Sequence, residues 1–243
     1  MIPRLYCPEP LPPGGVHDLA PAAAHHAVRV LRLGEGDEVR LFDGSGGVWS
    51  ARIERLRPQV RVRLDGFDPE DREPPLAVTL VQGLPAADKM DWIVQKAVEL
   101  GVAAIQPVTA RRSVVRLSGE RMQRRLQHWQ AVVVAACEQC GRNRVPVVAP
   151  LLDLHHYLAQ AAQANAVKLL LAPATAQRLR DLPPPAAMPL HLLIGPEGGF
   201  EDDEYSAAAS AGFTALGLGP RVLRTETAGP AALAAIMSLW GDS

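Results

Sequence analysis

Residues 192–204, "LLIGPEGGFEDDE", set an apolar run directly against a glycine-rich turn and then four acids. An apolar run that breaks into glycines reads as a buried strand ending where the backbone must come close to something. The familiar phosphate loops do not fit it. A P-loop places a lysine and a hydroxyl residue after its glycines, and neither follows here. A dinucleotide fingerprint wants G-x-G-x-x-G near the first strand, whereas "GPEGGF" has another spacing and lies late in the chain. Acids at 201–204 suit the positive end of a helix and would repel a phosphate placed there. A ligand of this turn is therefore neutral or cationic. S-adenosylmethionine, a sulfonium without phosphate, meets that description, and a tight strand-to-helix turn with no ligand meets it too.

A second stretch repeats the pattern. "LGLGPRVLRTETAGPAAL", residues 216–233, is again a strand end, glycines, and a polar run leading into a helix. Two such loops at the carboxyl ends of neighbouring parallel strands would face one crevice, the place where α/β proteins bind ligands. Arg224, Thr225, Glu226 and Thr227 crowd beside it. Taken singly, Thr227 reads as a helix cap, Glu226 as a first-turn acid and Arg224 as a surface charge, with Pro230 opening the final helix.

The rest of the chain from Leu76 alternates strand and helix. "LAVTLVQ", "VAAIQPV", "VPVVAP", "VKLLLA" and "FTALGLG" are short apolar runs of strand length. "DKMDWIVQKAVELG" puts Met90, Ile93, Val94, Ala97 and Val98 on one helical face and stops at Gly101. Residues 119–140 repeat apolar positions at helical spacing, with Gly141 as the stop. Strands alternating with helices predict an α/β domain with a mostly parallel sheet. The first part of the chain differs. After a short helix ending at a glycine come "EVRLF", "VWSARIERL" and "QVRVRLDGF", alternating apolar and polar residues, the first two joined by the hairpin signal "DGSGG". These predict a compact β-barrel-like module. The charged, proline-rich stretch 68–76 reads as a linker, and the division predicted is 1–72 and 73–243.

Composition narrows the classes. With 243 residues, 48% hydrophobic and 21% charged, the chain has ordinary globular make-up. No apolar run approaches the ~20 residues of a membrane span, and "MIPRLYCPEP" lacks the layout of a secretory signal, so a cytoplasmic location is expected. Three cysteines argue against a disulfide framework. A net charge of −1 means that any nucleic-acid footprint is local.

Together "IGPEGGF", "LGPRVLRTETA", "QKAVELGV", "ARRSV" and "EQCGRNRVP" resemble the bacterial 16S ribosomal RNA uridine-N3 methyltransferases of the RsmE-like branch of the SPOUT superfamily. The N-terminal "HHAVRVLRLGEGDEVRLFDGSG" is similar to that family's PUA-like RNA-binding module. The resemblance runs nearly end to end. It implies a trefoil-knotted α/β domain, S-adenosylmethionine in the knotted loops, a homodimer, and methylation of a decoding-region uridine, with no metal. Motif by motif it places Ile194, Gly195, Glu197, Gly199, Leu218, Gly219, Val222 and Leu223 at the cofactor, with Leu171 at the end of "VKLLLA" a further candidate. Uridine N3 must lose its proton to attack a methyl group. Arg224 is the candidate to stabilise the resulting anion, and Glu197 or Glu226 to accept the proton or attract the sulfonium.

Other signals weigh less. The single "CEQC" at 137–140 lacks the further ligands that a structural zinc needs, and the adjacent histidines of "HHAVR" and "LHHYL" point to different helix faces. For RNA the informative residues are Arg111, Arg112, Arg116, Arg121, Arg124 and Arg125, with Arg4, Arg29 and Arg32 in the N-terminal module. The substrate is expected to be structured ribosomal RNA, in the assembled 30S subunit. A binding protein that keeps the fold without the reaction is the alternative, and a nucleotide-dependent oxidoreductase is disfavoured by the missing phosphate fingerprint.

Overall fold

The computed structural model describes residues 2–86, 89–115, 118–173 and 175–242; Arg116 of the arginine stretch lies outside them. The chain forms two compact units. One takes the residues up to Glu73 together with Val134–Val145, the other Pro74–Val133 and Pro146 onward.

The first unit is a five-stranded sheet in the order β1-β3-β4-β5-β2. Its strands are β1 (Arg4–Tyr6), β2 (Gly15–Asp18), β3 (Glu38–Phe42), β4 (Val48–Arg55) and β5 (Arg61–Asp68). β3, β4 and β5 are the alternating runs. Val39, Leu41, Ala51, Ile53, Val62 and Leu64 turn to one side and pack as its core with Leu5, Leu19 and Ala27. β1 and β2 are too short for periodicity to reveal. β1 pairs with β3 in parallel and β2 with β5 antiparallel. The short helix is α1 (Pro21–His25), followed by a π-helical turn at His26–Val30. It ends at Val30, capped by Leu31 and followed by Arg32 with φ of 57°, rather than at a glycine.

Val134–Val145 belongs to this unit because its polar side chains satisfy the strand backbone and one another. Glu138 Oε1 accepts from Tyr6 N at 3.0 Å. Arg4 Nη2 donates to Asn143 Oδ1 at 2.7 Å and to the Arg142 carbonyl at 2.9 Å. Arg142, almost buried, pairs with Glu73, and Arg144 with Asp71. "EQCGRNRVP" is thus a set of struts for the first unit, with Cys137 buried among them and its thiol pushed up to about 12 by that burial. A thiol so held stays protonated and unreactive near neutrality.

The second unit is a seven-stranded parallel sheet in the order β12-β10-β11-β6-β7-β8, with β9 pairing β7. Its strands are β6 (Val78–Gly83), β7 (Ala104–Thr109), β8 (Val147–Val148), β9 (Leu152–Asp153), β10 (Val167–Leu171), β11 (Leu190–Ile194) and β12 (Thr214–Leu216). Helices are α2 (Lys89–Glu99), α3 (Gly119–Cys140), α4 (Leu154–Ala162), α5 (Asp202–Ser210) and α6 (Thr225–Trp240). In α2 the buried residues are Met90, Ile93, Val94, Ala97 and Val98, the predicted face. Burying the larger of these contributes about 1.5–3 kcal/mol each, enough to hold a helix this short. Gly101 and Gly141 take φ of 81° and 91° where α2 and α3 end, a conformation that costs glycine nothing.

Two expectations change here. The strands ahead of the glycine loops are not neighbours: β10 lies between β11 and β12. The final helix begins at Thr225, so Pro230 sits inside it and Thr227 is not its cap. Among the described residues no helix is long and apolar enough to cross a membrane.

Candidate active site

Register brings three loops level. Leu170 pairs with Leu193, and Leu171 with Leu216, so β10, β11 and β12 end at one edge of the sheet. Leu171–Pro173, Gly195–Phe200 and Gly217–Arg224 open there onto a cavity of about 380 Å³. Leu171, Ile194, Gly195, Glu197, Gly199, Leu218, Gly219, Val222, Leu223 and Arg224 all line it. Sequence reasoning did not single out Lys89, Tyr205, Arg221 or Ala228, which line it too.

The first loop is a tight turn in which each glycine has its own reason. Gly199 N donates to the Pro196 carbonyl at 2.9 Å, with φ of 68° at Gly199. A Cβ on Gly195 would stand 3.3 Å from Gly199 Cα, and one on Gly198 would stand 2.8 Å from Arg112 Cβ. Three of the four acids that follow, Glu201, Asp203 and Glu204, are answered by arginines and by backbone. Glu204, nearly fully buried, accepts from Arg111 N at 2.9 Å and Glu201 N at 2.8 Å. Arg111 binds Glu201 at 3.0 Å and Asp203 at 2.7 Å, while Arg112 Nη1 donates to the Gly198 carbonyl at 3.0 Å. The negative charge after the turn therefore anchors the arginine segment against the glycine loop. Arg111 and Arg112, expected at RNA, are thus also tied to protein acceptors while their side chains stay largely exposed. Arg29 and Arg32 are exposed in the first unit, and Arg4 is tied along one edge to Asn143 and Arg142.

The second loop is braced from beneath. Thr225 Oγ1 donates to the Gly195 carbonyl at 2.7 Å and accepts from Gln82 Nε2 at 2.9 Å. Gln82 is fully buried in β6. One hydroxyl thus ties the end of β6, the first loop and the start of α6 together, a role its sequence neighbourhood could not suggest.

The two candidate carboxylates meet at one cation. Lys89 Nζ lies 2.9 Å from Glu197 Oε1 and 3.4 Å from Glu226 Oε2. Glu197 also accepts from Ala86 N at 3.0 Å. Burial by itself would raise the Glu197 carboxyl, but the hydrogen bonds from Lys89 and backbone outweigh it and hold the carboxyl below its ordinary value. The Glu197 hydrogen bond in turn raises the Lys89 ammonium. Glu226 Oε2 is buried without a hydrogen-bond partner, its lysine contact being one of charge at a distance. Arg224 is exposed at the cavity and donates to no acceptor among the described residues. Among those residues, no group of three or more His, Cys, Asp or Glu is placed to hold a metal.

A titration result follows for Glu197. Its folded pKa is depressed, so its contribution to stability is full above about 4.3, the unfolded carboxylate value, and is lost as pH falls through the folded value. Glu197→Gln should therefore be less stable than wild type near neutrality, with the two unfolding curves converging in acid. A gap independent of pH would show that the carboxylate is not held as described.

The residues fit S-adenosylmethionine. The cavity volume lies in the roughly 300–1,000 Å³ range of small-ligand sites. Leu171, Ile194, Leu218 and Leu223 offer apolar walls, and the glycine loops bring backbone to its edge.

Comparison with known proteins agrees. The model of the RNA methyltransferase domain family matches residues 72–237, and that of the RNA methyltransferase PUA domain matches 19–64. The chain is 36% identical over 226 residues to ribosomal RNA small subunit methyltransferase E of Synechocystis, covering 91% of this chain and 72% of that one. It is similar to the crystal structure of a ribosomal RNA small subunit methyltransferase E from Neisseria gonorrhoeae bound to S-adenosyl methionine, at TM-score 0.92 and 40% identity over 100% of this chain and 99% of that one. It is likewise similar to a Legionella pneumophila methyltransferase in complex with SAM, at TM-score 0.94 and 38% identity over 100% of both chains.

Proposed function

Because the chain belongs to the RNA methyltransferase family, we propose that it transfers a methyl group from S-adenosylmethionine to N3 of a uridine in 16S ribosomal RNA. The observation that carries this is the cavity to which three loops bring apolar walls, the Arg224 guanidinium and Glu197, the last paired with Lys89 of α2. When bound, S-adenosylmethionine supplies an electrophilic methyl group on a sulfonium. The chain supplies the rest. The glycine loops and Leu171, Ile194, Leu218 and Leu223 bind and orient the cofactor, with Val222 and Gly219 at its edge. Lys89 and Ala86 N engage Glu197, which makes it a loop anchor and a poor base.

Glu226, whose Oε2 lies 3.4 Å from the same lysine without a hydrogen bond, is the second candidate acceptor for the N3 proton. Arg224 faces the uridine and stabilises the negative charge left when that proton departs. Holding nucleophile and methyl group in line contributes much of the acceleration.

The reading extends to the trefoil knot, to a homodimer, and to a cytoplasmic enzyme acting on the assembled 30S subunit. Residues 1–72 contact RNA, with Arg29 and Arg32 on phosphate, and residues 73–243 carry the chemistry. Exposed Trp92 on α2 and Leu239 on α6 are apolar side chains that a dimer would cover, which sedimentation of the full chain tests.

Calorimetric titration with S-adenosylhomocysteine should show saturable binding. Small subunits lacking the modification should then gain a 3-methyluridine that mass analysis of nucleosides identifies. Absence of binding, or methylation at another base atom, would overturn the proposal.

A further inference from the structure

The first unit holds a cavity of its own, of about 370 Å³, around Arg4, Arg40, Arg72, Asp68, Glu70 and Asn143. Three guanidiniums meet there. Arg4 is fixed in place: Nη2 is bound to Asn143 and the Arg142 carbonyl, and its guanidinium lies 4.8 Å from the centre of the Phe42 ring. Its Nε is buried without a hydrogen-bond partner, and its Nη1 meets no acceptor among the described residues. The side chains of Arg40 and Arg72 donate to no acceptor among the described residues. Burial first, and then the charges of Arg40 and Arg72, lower the Arg4 guanidinium below its usual value, as expected of cations gathered without a counterion.

The wall is also shaped for Arg72. Gly141 takes φ of 91°, and a Cβ there would stand 3.0 Å from Arg72 Nη1. The two carboxylates in the wall do not neutralise the group, since neither Asp68 nor Glu70 lies within ion-pair distance of these arginines among the described residues. Asp68 Oδ1 instead accepts from Glu70 N at 3.0 Å.

We propose that this cavity is a binding site for a phosphodiester of an RNA strand, gripped by Arg4, Arg40 and Arg72, with Asp68 or Glu70 accepting from the adjoining ribose 2′-hydroxyl. Planar forks of donors match phosphate oxygens two at a time. A carboxylate beside them would repel a bare anion, but it suits a nucleotide whose hydroxyl it can bind and by which RNA differs from DNA. The inference rests on the reading of the chain as a ribosomal RNA methyltransferase. It adds a substrate contact in the first unit to the candidates of the arginine-rich stretch at 111–125.

The test is the salt dependence of 16S ribosomal RNA binding by the full chain. In R40Q/R72Q the slope of log affinity against log salt should flatten by up to about 0.7–0.9, the contribution of one phosphate contact. R40K/R72K, which keeps the charge and loses the fork, should restore the slope. A 2′-deoxy competitor should displace the wild-type complex less well than its RNA counterpart. Thermal unfolding of both double variants separates a lost contact from a lost fold, with R40K/R72K deciding if R40Q/R72Q melts early. A wild-type slope in R40Q/R72Q overturns the inference while leaving the methyltransferase reading intact. Wild-type protein that binds no ribosomal RNA overturns both.

Discussion

Arg224→Ala should slow single-turnover methyl transfer by about a hundredfold to a thousandfold, the usual cost of removing one donor aimed at developing charge. Affinity for S-adenosylhomocysteine should stay close to that of wild type. Arg224 lines the cavity from the end of the second loop, directly ahead of Thr225, which α6 and Gln82 hold rigidly. No acceptor among the described residues competes for its guanidinium, so it is available when the uridine loses its proton. Before that moment the base is neutral and gains little from a nearby cation. The effect therefore falls on the chemical step and not on binding. Measurement at saturating enzyme on small subunits lacking the modification isolates that step. If Arg224 serves only to clamp RNA, saturation would restore the rate in full and the catalytic role would be withdrawn.

Gly219→Val is expected to act on the other substrate, by weakening its binding. Gly219 has φ of 120°, and a Cβ built on it meets nothing within 4 Å. The penalty is thus one of backbone conformation rather than collision. A β-branched residue held at such an angle is strained by about 1–3 kcal/mol. In the free protein the second loop can relax away from it, and the cofactor must then restore the strained form. Carried wholly by the binding step, that strain lowers affinity for S-adenosylhomocysteine roughly fivefold to 150-fold. Gly195→Val should act differently, since its Cβ would press on Gly199 within the turn, and it should lower thermal stability as well as affinity. Unchanged calorimetric affinity in Gly219→Val would place the cofactor away from this loop.

The sequence by itself determined the kinds of element and much of the cavity's membership. The face of α2, the span of α3 and the glycine stops at Gly101 and Gly141 are local properties. They follow from helical periodicity and from the angles only glycine adopts freely. The two glycine loops were legible for the same reason, and the lack of a lysine after "GPEGG" removed phosphate from the choices. Their convergence was readable only in outline, because strand order is not local: β10 enters between β11 and β12 and contributes Leu171 to the wall.

Lys89 looked like any first-turn lysine until the fold put Glu197 and Glu226 on either side of it. Thr225 looked like a polar residue near a helix start until Gln82 and Gly195 were found at its hydroxyl. Val134–Val145, the end of a long helix and the loop beyond it, gave no sign of belonging with the first unit. In each case partners far apart in the chain meet only after packing. A hydrogen bond or ion pair acts over a few ångströms, so its energy depends on that final placement, which no spacing within one segment records.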